Sequence, residues 1–281
     1  MSYRPFAVTV VAATTMSASF RRLRLAGGEL AELEWAGVDQ RVKLVLAGAD
    51  LQEALTTEPG DGWYATWCAL PEGVRPPMRT YTIAAHRPDQ CEVDIDVAVH
   101  GEAGPLSRFA LGARPGDRLL LVAPGRGGAA AGGVAWRPGG ARHVLCVGDE
   151  TALPAIRNIV ATLDAGQACR VVLEVPHDDD RLPLPSPARV RVDWAVRSPG
   201  APVGTAADRV LFGGPGSPAS PGEPDPDLWQ EASGDDHDRY AWVAGEVGWV
   251  NRLRKRLAAA GYDGRNAAFM GYWRAGHPSR G

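Results

Sequence analysis

Cysteine is scarce in these 281 residues, and its spacing carries no metal signature. Cys68, Cys91, Cys146 and Cys169 never pair as C-x-x-C, so neither a zinc site nor an iron–sulfur cluster is supported. Cys91 and Cys146 fall inside predicted strands, where the ordinary role is a small buried hydrophobe. Such thiols suit a reducing cytoplasm, which is the expected location, and they leave any electron transfer to an organic cofactor. Long apolar runs are also missing. None reaches the roughly 20 residues that cross a bilayer, and Phe6 to Val11 reads as a strand rather than a signal peptide. No membrane partner is expected. Excess charge is missing too: a formal net charge of -3 gives nucleic acid no electrostatic footing. His86, His143, His177, His237 and His277 form no ligand pattern, so no metal site is expected. No Ser or Cys has a base and an acid at recognisable spacing, which leaves hydrolase chemistry without support.

What is present is apolar residues at 45%, enough for real cores, in a chain long enough for two domains. The first half is patterned as strands. Arg41–Leu46 is one. Cys91–His100 is the clearest, with Cys, Val, Ile, Val and Val at odd positions and Glu, Asp, Asp, Ala and His at even ones. That alternation predicts one buried and one polar face. Arg114-Pro115-Gly116-Asp117 predicts a turn that launches a strand from Arg118. Short strands with turn signals predict a small antiparallel β-barrel over 1–125.

A Gly/Ala/Pro-rich stretch, 126–140, reads as a linker. Beyond it, over 141–281, strands and helices alternate: His143–Val147, a helix over Ala152–Leu163, Arg170–Val175, Arg189–Val196, Tyr240–Ala244, a helix over Val247–Ala260, and Ala267–Tyr272. This order predicts an α/β domain with a mostly parallel sheet. Within it, 198–238 is dense in Pro, Gly and Asp. It is expected to be a mobile excursion with at most one short helix near Leu228 and Trp229.

Four motifs carry chemistry. In Arg79-Thr80-Tyr81-Thr82, residues two apart share a face of a strand. Arg79 can pair with a pyrophosphate and Tyr81 can lie against a flat ring, which suits a flavin. Gly104-Pro105-Leu106-Ser107 adds a turn whose backbone N–H groups and hydroxyl can hold the same phosphates. Gly148-Asp149-Glu150-Thr151 sits where a strand meets a helix, at the sheet edge where ligands bind. The acids there suit a helix dipole equally well, and they favour a neutral or cationic ligand part over a phosphate. Ala244-Gly245-Glu246 places small residues at the same edge, and an ordinary turn capped by Glu explains it as well. The basic run of Arg252, Arg254, Lys255 and Arg256 reads most simply as a solvated face. Gly125-Arg126-Gly127-Gly128-Ala129-Ala130 mimics a dinucleotide fingerprint, but the residues after it predict no helix.

Taken in order, these segments resemble the siderophore-interacting protein family of ferredoxin-reductase-like flavoproteins. Val42-Lys43-Leu44 resembles its early H-V-K-L strand, Arg79–Thr82 its R-x-Y-T motif, and Val97–His100 with Gly101 and Gly104–Ala110 its V-L-H-G…G-P-A-S-x-W-A. Gly148–Ala155 matches G-D-E-T-A-L-P-A, Ala241–Glu246 matches A-W-V-A-G-E, and Gly271–Gly276 matches G-Y-W-R-x-G. The resemblance implies an FAD-dependent ferric-siderophore reductase. Electrons from NADH or NADPH, or from a ferredoxin, would pass through FAD to a ferric siderophore and release Fe(II). It implies FAD contacts from Arg79, Tyr81, Thr82, Val97, His100, Gly104, Pro105 and Ser107. Asp149, Glu150, Thr151, Gly245 and Glu246 would form the electron-donor side. Lys43, Arg254, Lys255 and Arg274 would make a basic rim for the anionic chelate. A monomer is expected. Two other functions fit the same residues: a flavin-dependent reductase serving another acceptor, and a siderophore-binding member without turnover. The family's basic residue after R-x-Y-T is replaced by Ala84 and Ala85, with Arg87 following, and Leu106 and Phe109 replace its Ala and Trp.

Overall fold

The computed structural model describes residues 3–57, 62–99, 104–126, 132–214, 225–234 and 237–277. The chain divides into two compact units, the first over Met1–Val134 with Arg280–Gly281, the second over Ala135–Ser279.

The first unit is a closed antiparallel barrel in the order β1 (Tyr3–Ser17), β2 (Phe20–Ala26), β5 (Glu92–Ala98), β4 (Met78–Arg87), β3 (Arg41–Val45), β6 (Arg118–Pro124). One long strand turns the corner: β1 pairs with β6 through Tyr3–Thr9 and with β2 from Thr9 onward, with a register shift after Val10. Alternate residues fill the barrel, among them Phe6, Val8, Leu23, Leu25, Val42, Leu44, Ile83, Ile95, Val97 and Leu121. Helix α3 (Pro105–Gly112) adds Leu106 and Ala110 to this core. Helices α1 (Ala49–Thr57) and α2 (Gly62–Ala69) cover the outer face, where Leu55, Trp63 and Trp67 pack on Val45, Met78, Leu120 and Val122.

The polar face expected on β5 is not solvated. Asp94 and Asp96 are both buried. Cross-strand arginines lie over them: Arg22 donates to Asp96 at 2.6 and 2.7 Å, and Arg87 to Asp94 at 2.6 and 3.0 Å. Arg24 adds a bond of 3.0 Å to Asp94. The two-residue alternation holds in β5, but long guanidinium side chains roof its even face. Cys91 is not in this strand; it ends a 3-10 turn at φ 52.

In the second unit a six-stranded sheet runs β10 (Trp229–Gln230), β12 (Ala267–Trp273), β11 (Arg239–Glu246), β7 (His143–Gly148), β8 (Ala168–Val175), β9 (Arg189–Val196). All neighbours are parallel except β10 and β12. Helices α4 (Leu153–Ala161), α5 (Thr205–Phe212) and α6 (Val247–Ala259) connect the strands. Trp249, Val250, Leu253 and Leu257 of α6 pack with Val243 and Phe269 of the sheet. Two expectations for 198–238 are corrected. Thr205–Phe212 is a helix, held because Ala207 joins the core and Trp249 Nε1 donates to Asp208 at 3.1 Å. Trp229 belongs to a strand, not a helix, paired with Met270. No helix among the described residues is long and apolar enough to cross a membrane.

Burial works to raise the Asp94 carboxyl, but its bonds to Arg87 and Arg24 outweigh it and hold the group below its ordinary value. Its contribution is therefore present above the unfolded pKa of about 3.9 and is lost as pH falls through the folded value. Asp94→Asn should cost about 1.5–3 kcal/mol near neutral pH, as loss of charge-assisted bonds does. Urea unfolding of both proteins should show that gap closing as pH drops below about 4.

Candidate functional site

In the barrel, β4 carries the R-x-Y-T segment. It pairs with β3 from Met78–Val45 to Thr82–Arg41, but its pairing with β5 runs only from Ile83–Ile95 to Arg87–Glu92. Among the described residues, Met78–Thr82 thus has one strand edge without a strand partner. The register carries Val97 to the level of Tyr81 across this gap, and α3 packs on β5 and β2. Arg79 and Tyr81 lie opposite Leu44 and Val42, on the core face. Tyr81 is half-buried, packs on the core and has its phenol pKa raised by burial. Arg79 donates to the Met78 carbonyl at 2.7 Å, and among the described residues its guanidinium meets no carboxylate. Thr82 is buried on the other face. Val97 points into the core, which leaves its backbone for any ligand. Gly104 is the N-cap of α3 and Pro105 its first residue. The amides of Leu106 and Ser107, in the first turn, have no intrahelical acceptor. His100 and Gly101 lie outside the described residues. These features fit FAD: a bare strand edge for the polar rim of a flat ring, a phenol beside it, and guanidinium and amide donors for a diphosphate. Arg87 is not a spare cation, since it is engaged by Asp94 and by Glu92 at 3.0 Å.

Lys43 faces away from the barrel core, as its neighbours Val42 and Leu44 require, and lies opposite Thr80. Burial, then Arg41, lower its pKa. It therefore shares a β3–β4 face with Thr80 and not with Arg79 and Tyr81.

In the α/β unit the donor-side residues prove to be internal fasteners. Asp149, at the end of β7, is fully buried and accepts from Thr151 N (2.9 Å), Thr151 Oγ1 (2.5 Å), Glu246 N (2.7 Å) and Trp273 Nε1 (2.9 Å). It ties the ends of three strands. Burial, and then the Glu150 carboxylate, push its carboxyl up to about 7 against those hydrogen bonds. Glu150 is also fully buried, and Arg197 donates to it at 2.7 Å. Burial raises Glu150. Arg197 also reaches Glu174 at 2.7 Å, so one guanidinium joins two buried acids. The expectation that the acidic pair meets a cationic ligand part therefore changes: both side chains already have protein partners. Glu246 caps α6, accepting from Trp249 N at 2.7 Å and from Ala275 N at 3.3 Å. Gly245 sits at φ 152, and a Cβ there would come within 2.6 Å of Asp149 Oδ2, so the space beside it holds protein. Tyr272 stacks on Trp229 and meets Trp242 edge-on.

Arg254 and Lys255 lie seven and eight residues into α6, roughly 10–12 Å along its axis from the start. Arg274 lies in an exposed turn just after β12, at the end of the sheet where α6 begins. The structure therefore does not gather these three cations. Sequence reading misses Arg197, takes Trp273 only as part of Gly271–Gly276, a segment that could cover a flavin or equally be the edge of the last strand, and takes Glu174 only as a weak candidate for a ribose 2′-hydroxyl, none of them as members of this network. Their partners lie 23 to 124 positions away, so no local signal exists. Among the described residues no group of three His, Cys, Asp or Glu could hold a metal ion.

Residues 9–128 match the siderophore-interacting FAD-binding domain, and residues 141–276 match the siderophore-interacting protein domain. The siderophore-interacting protein SipS from Aeromonas hydrophila is 30% identical over 98% of this chain and 94% of its own, with a TM-score of 0.70. A ferredoxin reductase of carbazole 1,9a-dioxygenase, 14% identical over 96% of this chain and 69% of its own with a TM-score of 0.59, shares the fold. Ferric vibriobactin reductase ViuB of Vibrio cholerae is 33% identical over 44% of each chain. The mycobactin import ATP-binding/permease protein IrtA of Mycolicibacterium smegmatis is 29% identical over 84% of this chain. This chain spans about a quarter to a half of the curated relatives' lengths: 24% of IrtA and 44% of ViuB. Barrel, parallel sheet, ordered motifs and end-to-end likeness agree, and the chain belongs to the siderophore-interacting protein family.

Proposed function

We propose that the protein is an FAD-dependent oxidoreductase that reduces the ferric iron of a siderophore. The observation that carries this is the bare edge of β4 at Met78–Thr82, flanked by Arg79 and Tyr81, in a domain of the FAD-binding type. The similarity to a ferric vibriobactin reductase supports the acceptor, and the likeness to a ferredoxin reductase supports the fold's use in electron transfer. When bound, FAD supplies an acceptor for the two electrons of a hydride and a donor of single electrons to Fe(III). The chain's own residues do the rest. Arg79 and the first-turn amides of α3 would hold the diphosphate. Tyr81 would lie against the ring and keep water from one side of it. The backbone of Thr82 and Val97, with Gly104, Pro105 and Ser107, would complete the contacts we assign to FAD, and His100, assigned with them from the resemblance, lies outside the described residues. The electrons would come from NADH, NADPH or a ferredoxin, and we assign reception of the donor to the α/β unit. Ferric chelates are far tighter than ferrous ones, so reduction frees the metal. Lys43 on the barrel and Arg274 on the α/β unit each present a cation without a carboxylate partner among the described residues. We assign both to attracting an anionic chelate by screened surface charge.

Arg79→Ala should purify with at least about tenfold weaker FAD affinity, since a charge-assisted bond to phosphate contributes about 1.5–3 kcal/mol. The absorbance ratio of flavin to protein and a titration of the apoprotein measure it. Unchanged occupancy in both Arg79→Ala and Tyr81→Ala removes the motif from the site. For the acceptor, KM for an anionic ferric siderophore should rise with salt and rise further in Lys43→Ala or Arg274→Ala at constant flavin content. Wild-type KM in both variants across ionic strength makes these cations a plain solvated surface. Gly245→Ala should lower Tm by several degrees through strain and its push on Asp149, which is a structural loss and not a selective block on the donor.

A further inference from the structure

Arg274, the exposed cation of the α/β unit assigned above to the chelate, stands in a segment whose two neighbours are both tied down. On one side, Trp273 Nε1 donates to Asp149 Oδ2 at 2.9 Å. On the other, Ala275 N donates to Glu246 Oε1 at 3.3 Å. The chain then turns back on itself. His277 N donates to the Arg274 carbonyl at 3.2 Å, and Gly276 supplies the left-handed φ of 74 within that turn.

The two acids do not act independently. Asp149 Oδ2, the oxygen that holds Trp273, also accepts from Glu246 N at 2.7 Å. Glu246 Oε2 accepts in turn from Trp249 N at the start of α6. One fully buried carboxylate therefore anchors both flanks of Arg274, directly through the indole and indirectly through Glu246. Gly245 makes room for it, since a Cβ there would lie 2.6 Å from the same Oδ2. The strand adjusts as well. β11 and β12 pair as Gly245–Gly271 and then as Glu246–Trp273, so Tyr272 is an extra residue in β12. Such an irregularity re-aims a side chain at a strand end. The indole is a donor with no acceptor, so its N–H is matched to a carboxylate oxygen.

These contacts also keep the acids from neutralising Arg274. Glu150 and Glu174 share Arg197. Asp149 and Glu246 take amide and indole donors. An exposed arginine on a loose turn would lose backbone as well as side-chain freedom on meeting a ligand. With its backbone already held, only the side chain remains to be ordered.

From this arrangement we propose that Asp149, Trp273 and Glu246 are positioning residues for Arg274, holding its backbone so that the guanidinium meets an anionic ferric chelate at a lower ordering cost. The proposal rests on the assignment of Arg274 to the chelate. Its effect falls on chelate affinity, and so on KM, rather than on electron transfer.

The probe is a trianionic gallium(III) tris-catecholate, which has the charge of the ferric complex but accepts no electron. Flavin-loaded protein is titrated with it by calorimetry at low salt. Arg274→Ala should weaken binding about fivefold. Trp273→Phe, which removes the indole donor, should weaken it about threefold. The double variant should match Arg274→Ala alone within about twofold, because both changes act through one guanidinium. The weakening should be confined to the anionic probe and absent with an uncharged gallium tris-hydroxamate. Amide hydrogen exchange reads the position directly: Ala275 N should exchange at least about tenfold faster in Trp273→Phe than in the wild type. Asp149→Asn should act in the same direction with a lower Tm, and if it fails to fold, Trp273→Phe decides.

Wild-type affinity in Trp273→Phe beside weakened binding in Arg274→Ala overturns the proposal and leaves Arg274 its role. Additive losses in the double variant, equal losses for the uncharged probe, or unchanged exchange at Ala275 overturn it too. Wild-type affinity in Arg274→Ala removes the assignment of Arg274 and the proposal with it. The reductase reading is tested apart, by mixing photoreduced protein with the ferric tris-catecholate. Flavin oxidation keeps that reading whatever the gallium titrations give, and no oxidation removes it.

Discussion

Burying a carboxylate is costly unless every lone pair finds a donor, and the α/β unit is organised around meeting that demand at its carboxyl edge. Asp149 collects amide, hydroxyl and indole donors from the ends of β7, β11 and β12. Glu174 collects the Gly204 amide, two amides of α5 and the Arg197 guanidinium. The starts of α5 and α6 and the ends of β7, β11 and β12 are thereby positioned by buried acids. A buried ion pair of this kind is weak evidence for stability in itself, but removing one partner would strand the other. That is why these side chains fix the edge so firmly.

The barrel meets the same physical demand differently. Its closed ladder satisfies nearly all strand edges, and the acids of β5 are roofed by Arg22, Arg24 and Arg87 rather than by helix amides. Among the described residues one exception is Met78–Thr82, where β4 and β5 are not paired. An unpaired backbone edge beside a half-buried phenol and a guanidinium without a carboxylate is a place where a polar, flat, anionic ligand restores what the fold has left open.

The residues predicted as functional divide along the same line. Arg79, Tyr81, Gly104, Pro105 and Ser107 stand where a ligand can meet them. Asp149, Glu150 and Glu246 are read from sequence at the right edge, and each is held by its own chain. Their residue types were informative, because acids at a strand-to-helix junction suit a helix N-terminus. What the types could not convey was burial, which turns a possible ligand contact into a fastener.

Local patterning by itself determined the antiparallel first half and the parallel second half, and the ordered motifs carried the family resemblance, since two-residue and helical periodicities and motifs are written in neighbouring positions; it did not show α1, α2 or α3. It failed at Thr205–Phe212, a helix amid Pro, Gly and Asp that forms because Glu174, thirty residues earlier, caps it. It failed at Trp229, whose strand exists only because Met270 pairs with it. It failed on β5, whose polar face is buried by arginines from neighbouring strands. Each of these was decided by the tertiary structure for one reason: the free energy of a buried charge or an unpaired strand depends on groups far away in sequence, and only folding brings them within hydrogen-bonding distance.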